Sequence, residues 1–126
     1  MTESKIFVDT SIWLDYFLNG SKESKQYLES GEYFLLTSVI SIHEIKRKLL
    51  KEKYELNIIN NKLDFIKTKS ALVDIEEKIC EKSAIDAIEH KLNTADAIIY
   101  RSSIEQAALL ITLDYNFKGL KGAKVI

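Results

Sequence analysis

Four acidic residues, far apart in the sequence, have the right chemistry to hold a metal ion at a phosphate: Asp9, Glu44, Asp96 and Asp114. Asp9 directly follows Ile6-Phe7-Val8, and Glu44 lies in Ser41-Ile42-His43-Glu44-Ile45. Asp96 comes two residues after Thr94, and Asp114 closes Ile111-Thr112-Leu113-Asp114. Two carboxylates ~4 Å apart repel by ~4 kcal/mol at an effective dielectric of ~20, so four in one pocket require a cation. An all-oxygen ligand set without His or Cys suits Mg²⁺ or Mn²⁺ rather than zinc. Such ions activate water and neutralise charge in phosphoryl chemistry, which points to a nuclease or a phosphatase.

Each acid also has a purely structural explanation. Asp9 can N-cap the helix that follows it. Ser41-x-x-Glu44 has the spacing of a capping box. Asp96 suits the first turn of a helix beginning at Thr94, and Asp114 suits an Asx turn before Tyr115-Asn116. None of these explanations predicts that all four acids share one edge of the fold.

The expected elements would place them there. Ile6-Phe7-Val8 reads as a short buried strand, and Tyr33-Phe34-Leu35-Leu36-Thr37, Ala71-Leu72-Val73 and Leu109-Leu110-Ile111-Thr112 as further strands, with Ala123-Lys124-Val125-Ile126 as a short fifth. Between them lie helical patterns. Ile12, Trp13, Tyr16 and Phe17 share a face that Asn19-Gly20 closes, and a polar helix covers Ser21 to Glu29. Ile42, Ile45 and Leu49 mark the next helix, with Glu44 expected in its first turn; Leu56, Ile59, Leu63 and Ile66 mark another. Further helices are expected from about Ile75 to His90 and from Thr94 to Ala107. Alternating strands and helices predict an α/β fold: a roughly five-stranded parallel sheet with helices on both faces. Ligands of such sheets bind at the carboxyl ends of the strands, where these acids fall.

Composition is consistent with this. The 126 residues suffice for one domain, expected to span 1–126, and 46% hydrophobic with 29% charged is ordinary for a folded protein. Cys80 has no partner for a disulfide and is expected in the core; a reducing, cytoplasmic setting follows. No apolar run approaches the ~20 residues that cross a bilayer, so no membrane association is expected. A net charge of −1 gives no bulk attraction for nucleic acid, so any such binding must be local. Dinucleotide, P-loop and nucleophile-elbow motifs are absent, and Asp9-Thr10-Ser11 lacks the second aspartate of an aspartyl-phosphate phosphatase. His43, beside Glu44, reads either as a substrate contact or, as the better explanation, as a solvated helix residue, and His90 as a favourable charge at a helix end.

In the four segments Ile6–Ile12, Ser41–Ile45, Thr94–Ile99 and Ile111–Phe117, taken in order, the chain resembles PIN domains, specifically the VapC-type toxins of toxin–antitoxin pairs. The resemblance implies a Mg²⁺- or Mn²⁺-dependent endoribonuclease that forms a homodimer and is silenced by an antitoxin. It carries Asp9, Glu44, Asp96 and Asp114 over as catalytic and metal-binding acids. Thr10, Ser11 and Thr112 become hydroxyls that support the pocket. An RNA-maturation nuclease of the same fold and a non-catalytic interaction module are the alternatives. Lys46, Arg47, Lys48, Lys51 and Lys53 are either an attractor of RNA phosphates or a solvated helix face. Ile58 and Phe65 are either a dimer or antitoxin contact or the margin of the core.

Overall fold

The computed structural model describes residues 4–126. Five strands form one sheet: β1 (Ser4–Val8), β2 (Tyr33–Ser38), β3 (Ala71–Val73), β4 (Leu109–Thr112) and β5 (Ala123–Val125). Their spatial order is β3-β2-β1-β4-β5, and every pair is parallel. β1 is therefore central. The chain moves outward from it through β2 to β3, then crosses to the other side for β4 and β5. That reversal leaves a crevice beyond the carboxyl ends of β1 and β4, the usual ligand position in an open parallel sheet.

Six helices cover the sheet: α1 (Thr10–Leu18), α2 (Lys22–Leu28), α3 (Val39–Lys51), α4 (Leu56–Lys69), α5 (Glu77–His90) and α6 (Thr94–Glu105). Successive strand residues point to opposite faces, which divides the core in two. Ile6, Val8, Leu35 and Ile111 pack against Ile12 and Trp13 of α1, Ile45 and Leu49 of α3, and Ile59, Leu63 and Ile66 of α4. On the other face Phe7, Leu36 and Leu110 meet Ala97, Ile99 and Tyr100 of α6 together with Phe117. α5 packs on α6, and the bidentate pair of Arg101 with buried Asp86, at 2.7 and 2.8 Å, joins them. No helix of the described residues is long and apolar enough to cross a membrane.

Several sequence expectations need correction. The helix expected from Ile75 begins at Glu77, and the one expected to reach Ala107 ends at Glu105, with Ala107 at a left-handed φ of 52°. Cys80 is exposed, because α5 turns Ile79, Ser83 and Asp86 inward and leaves Cys80 outside. Leu56, 55% exposed, lies off the buried stripe of α4. Phe65 is the margin of the core: it stacks on Tyr16 with ring centres 5.7 Å apart and meets Trp13 and Phe17 edge-on. Ile58 is exposed, and the two line a shallow cleft of about 290 Å³ with Tyr16, Phe17, Asn61 and Lys62.

Candidate active site

Asp9 leaves the central strand with extended backbone and N-caps α1, its side chain accepting from the Ser11 amide at 3.4 Å. Its structural and site placements coincide. The same oxygen, Oδ2, also accepts from Ser11 Oγ at 2.6 Å and Thr112 Oγ1 at 2.7 Å. Those two hydroxyls in turn accept backbone amides from the loop after β4: Leu113 N reaches Ser11 Oγ at 3.0 Å, and Asp114 N reaches Thr112 Oγ1 at 2.9 Å. Three donors thus converge on one oxygen of Asp9. Oδ1 accepts none among the described residues and is left for a ligand.

Glu44 stands in the second turn of α3, not the first. The helix begins one turn earlier than the sequence suggested: Ser38 is its N-cap, accepting from the Ile40 amide at 3.2 Å, so Ser41 and Glu44 form no capping box. Instead Thr10 Oγ1 donates to Glu44 Oε1 at 2.6 Å and is hydrogen-bonded to Ser41 Oγ at 2.8 Å. Ser41, treated as a cap in the sequence, is fully buried and supports Thr10. Its signal was present as a small polar residue on an otherwise apolar helix face. Asp96 occupies the first turn of α6 as expected; Asn93 caps that helix by accepting the Asp96 amide at 2.8 Å. Asp114 accepts from the Asn116 amide at 2.9 Å, the expected Asx turn, and lies two residues beyond β4.

The electrostatics show that these four acids share one neighbourhood. Burial, followed by the charges of Asp9, Asp114 and Glu44, pushes the Asp96 carboxyl up to about 7. Burial raises Asp9 as well, against the lowering effect of its hydroxyl donors, and Asp114 adds to the rise. Carboxyls that hinder one another's ionisation are relieved by a cation.

The donor set fits a hard divalent ion, since every candidate ligand atom is a carboxylate oxygen. No three of the four acids bring oxygens within 4.8 Å of one another. Oxygens on opposite sides of one Mg²⁺ lie ~4.2 Å apart, and Mg²⁺ usually takes only one or two carboxylates directly and keeps several waters. The wider spacing suits that habit. The tighter trio among the described residues, Asp86, Glu89 and His90, lies elsewhere, and there Arg101 already grips both oxygens of Asp86.

The basic run after Glu44 does not form one patch. Arg47 and His43 line a cleft of about 470 Å³ with Thr10, Leu14, Ile40, Glu44, Thr94 and Ala95. Lys48 pairs with Glu52 at 2.8 Å, and both face a different cleft beside Leu18, Lys53 and Tyr54. His90 ends α5 as expected and packs edge-on against Tyr100.

Comparison with known proteins is consistent with this geometry. The family model described as "PIN domain" matches residues 6–123. A toxin–antitoxin complex from Klebsiella pneumoniae contains a similar chain, with 27% identity, a TM-score of 0.79, and 94% of this chain matched to 95% of that one. Similar folds occur in VapBC2 from Rickettsia felis bound to a promoter DNA fragment (17% identity, TM-score 0.75, 95% and 97% covered). They also occur in Mycobacterium tuberculosis VapC20, a toxin that cleaves the sarcin–ricin loop (16%, 0.75, 92% and 95%). No curated protein sequence matches significantly.

Proposed function

The chain belongs to the PIN-domain family, and from that premise we propose that it is a metal-dependent endoribonuclease, the toxin of a toxin–antitoxin pair. The observation that carries this reading is the convergence of Asp9, Glu44, Asp96 and Asp114 on the crevice beyond β1 and β4, with Asp96 pushed up to about 7 by burial and the other three charges. The toxin–antitoxin complex that resembles the chain over 94% of its length supports an antitoxin partner. A homodimer and a cytoplasmic setting belong to the same proposal.

In this reading the free oxygen of Asp9, with Glu44, Asp96 and Asp114, would hold Mg²⁺ or Mn²⁺, one or two of them directly and the others through its waters. The bound ion would lower the pKa of a water and neutralise charge on the phosphodiester. The remaining work belongs to the chain. Ser11 and Thr112 fix the rotamer of Asp9 and orient Oδ1 to the pocket. Thr10, braced by Ser41, holds Glu44 across from it. Asp96 and Asp114 close the ring of negative charge that excludes an RNA phosphate until a cation is bound.

Glu44→Gln tests the reading. The neutral isostere keeps the Thr10 hydrogen bond and so the fold, but removes the charge. Mn²⁺-dependent RNA cleavage by the variant should fall by roughly 100-fold or more, as for a lost metal ligand or its support. Circular dichroism should be unchanged. A folded Glu44→Gln protein that cleaves like wild type removes Glu44 from the site, and a wild type that cleaves no RNA with either ion overturns the ribonuclease.

A further inference from the structure

Glu44 and the Thr10 that holds it line a cleft of about 470 Å³ whose walls also include His43 and Arg47 of α3, with Thr94 and Ala95, the residues before Asp96, on α6. We propose that Arg47, with His43, forms a subsite that binds a backbone phosphate and its adjoining nucleotide next to the scissile position. This inference rests on the ribonuclease reading above.

Residues 43 and 47 are four apart on one helix, so they project from the same face, and Glu44, three before Arg47, lies on that face too. The metal-side acid and the cation therefore line one continuous wall of the cleft. Arg47 is exposed and makes no ion pair among the described residues, although carboxylates crowd the adjoining pocket. Its neighbour Lys48 is occupied by Glu52. Arg47 is thus available to an incoming anion. A guanidinium matches phosphate oxygens with two parallel donors, which a lysine cannot do. His43, also exposed, offers a ring on which an unstacked base can lie, and Leu14, Ile40 and Ala95 give that base an apolar surface.

The charge balance of the chain suits such a device. With 18 basic and 19 acidic residues, no long-range attraction draws RNA in, so the strand must be held by discrete cations beside the centre. The phosphate on Arg47 would position the next one along at the acids. This assigns the subsite a single-stranded substrate, since a base must leave its stack to reach the ring of His43.

The test is equilibrium binding of a short fluorescent single-stranded RNA, measured by anisotropy across a salt series. All proteins carry the Asp96→Asn background so that cleavage does not deplete the probe. Arg47→Ala should weaken binding by roughly tenfold, the weight of one charge-assisted hydrogen bond. It should also reduce the slope of log K against log salt by about 0.7, the value for one phosphate contact on a single strand. Arg47→Lys should keep the slope and lose part of the affinity, and His43→Ala should weaken binding without changing the slope. Lys46→Ala, on a neighbouring exposed residue outside the cleft, is the control. If Arg47→Ala binds like Lys46→Ala, the subsite is wrong while the ribonuclease stands on its own cleavage assay. If the Asp96→Asn parent does not bind the RNA and wild type does not cleave it, both are wrong. Circular dichroism of each variant separates lost binding from lost folding.

Discussion

Asp9 has two oxygens with different duties. Oδ2 is held by three donors from Ser11 and Thr112, and Oδ1 is left free. That division makes Thr112 as important as the acid it supports, because its hydroxyl also receives the Asp114 amide and so sets where the second acid stands. Thr112→Val keeps the β-branched shape in the strand and deletes the hydroxyl. It should lower Mn²⁺ affinity or activity by roughly 10–100-fold, the usual cost of losing a hydrogen-bond partner behind a metal ligand. Isothermal titration with Mn²⁺ checks it, and unchanged affinity would show that Ser11 alone suffices. The positions of Asp9, Asp96 and Asp114 were legible in the sequence because each stands at a strand end or in the first turn of a helix, whereas Glu44 falls one turn deeper into α3 than expected. Ser41 was not legible, since a serine three residues before a glutamate has the same pattern whether it caps a helix or braces a buried threonine.

At the scale of elements, α4 presents two kinds of residue that looked alike in the sequence. Phe65 belongs to the ring cluster with Trp13, Tyr16 and Phe17, whereas Ile58 sits 40% exposed on the rim of the adjoining cleft. The two positions are therefore tested separately. Phe65→Ala should destabilise the fold by about 3 kcal/mol, as for a large core truncation. Ile58→Lys should cost under about 0.5 kcal/mol and weaken homodimer or antitoxin association if this cleft is the contact. Urea unfolding and sedimentation analysis distinguish the two, and an unfolded Ile58→Lys would place that residue in the core after all. β1, β2 and β4 were readable because each holds a short apolar run, and most helices because their buried stripes recur at helical spacing. α5 was misread in part because its inward residues include Ser83 and Asp86 while Ile85 and Ile88, 59% and 83% exposed, face out. The partner of Asp86, Arg101, lies on the next helix, so the sequence gives no local sign of the ion pair.

For the whole molecule, the crowded acids make stability depend on pH and metal together. Asp96 has a folded pKa of about 7 against an ordinary 3.8, so the folded state holds its proton more tightly than the unfolded chain does. Its contribution is therefore fully present below 3.8 and is lost as pH rises through 7. Buried Asp9 acts in the same direction. Without divalent metal, the melting temperature should decline between about pH 4 and about pH 7 relative to Asp96→Asn. Mn²⁺ at ~100 times its Kd should restore ~2.7 kcal/mol at neutral pH. Parallel pH curves for wild type and Asp96→Asn would contradict the shared pocket. The sheet has one more consequence, which concerns the order of synthesis. The central strand is made first, yet one of its two neighbours, β4, is made last but one, and the hydroxyl that fixes Asp9 comes 103 residues later. A growing chain therefore carries its first acid past β2, β3 and six helices with only the nearby Ser11 to set it. The four acids cannot be gathered into one pocket until β4 and Asp114 have been made, so three of them leave the ribosome before the pocket exists.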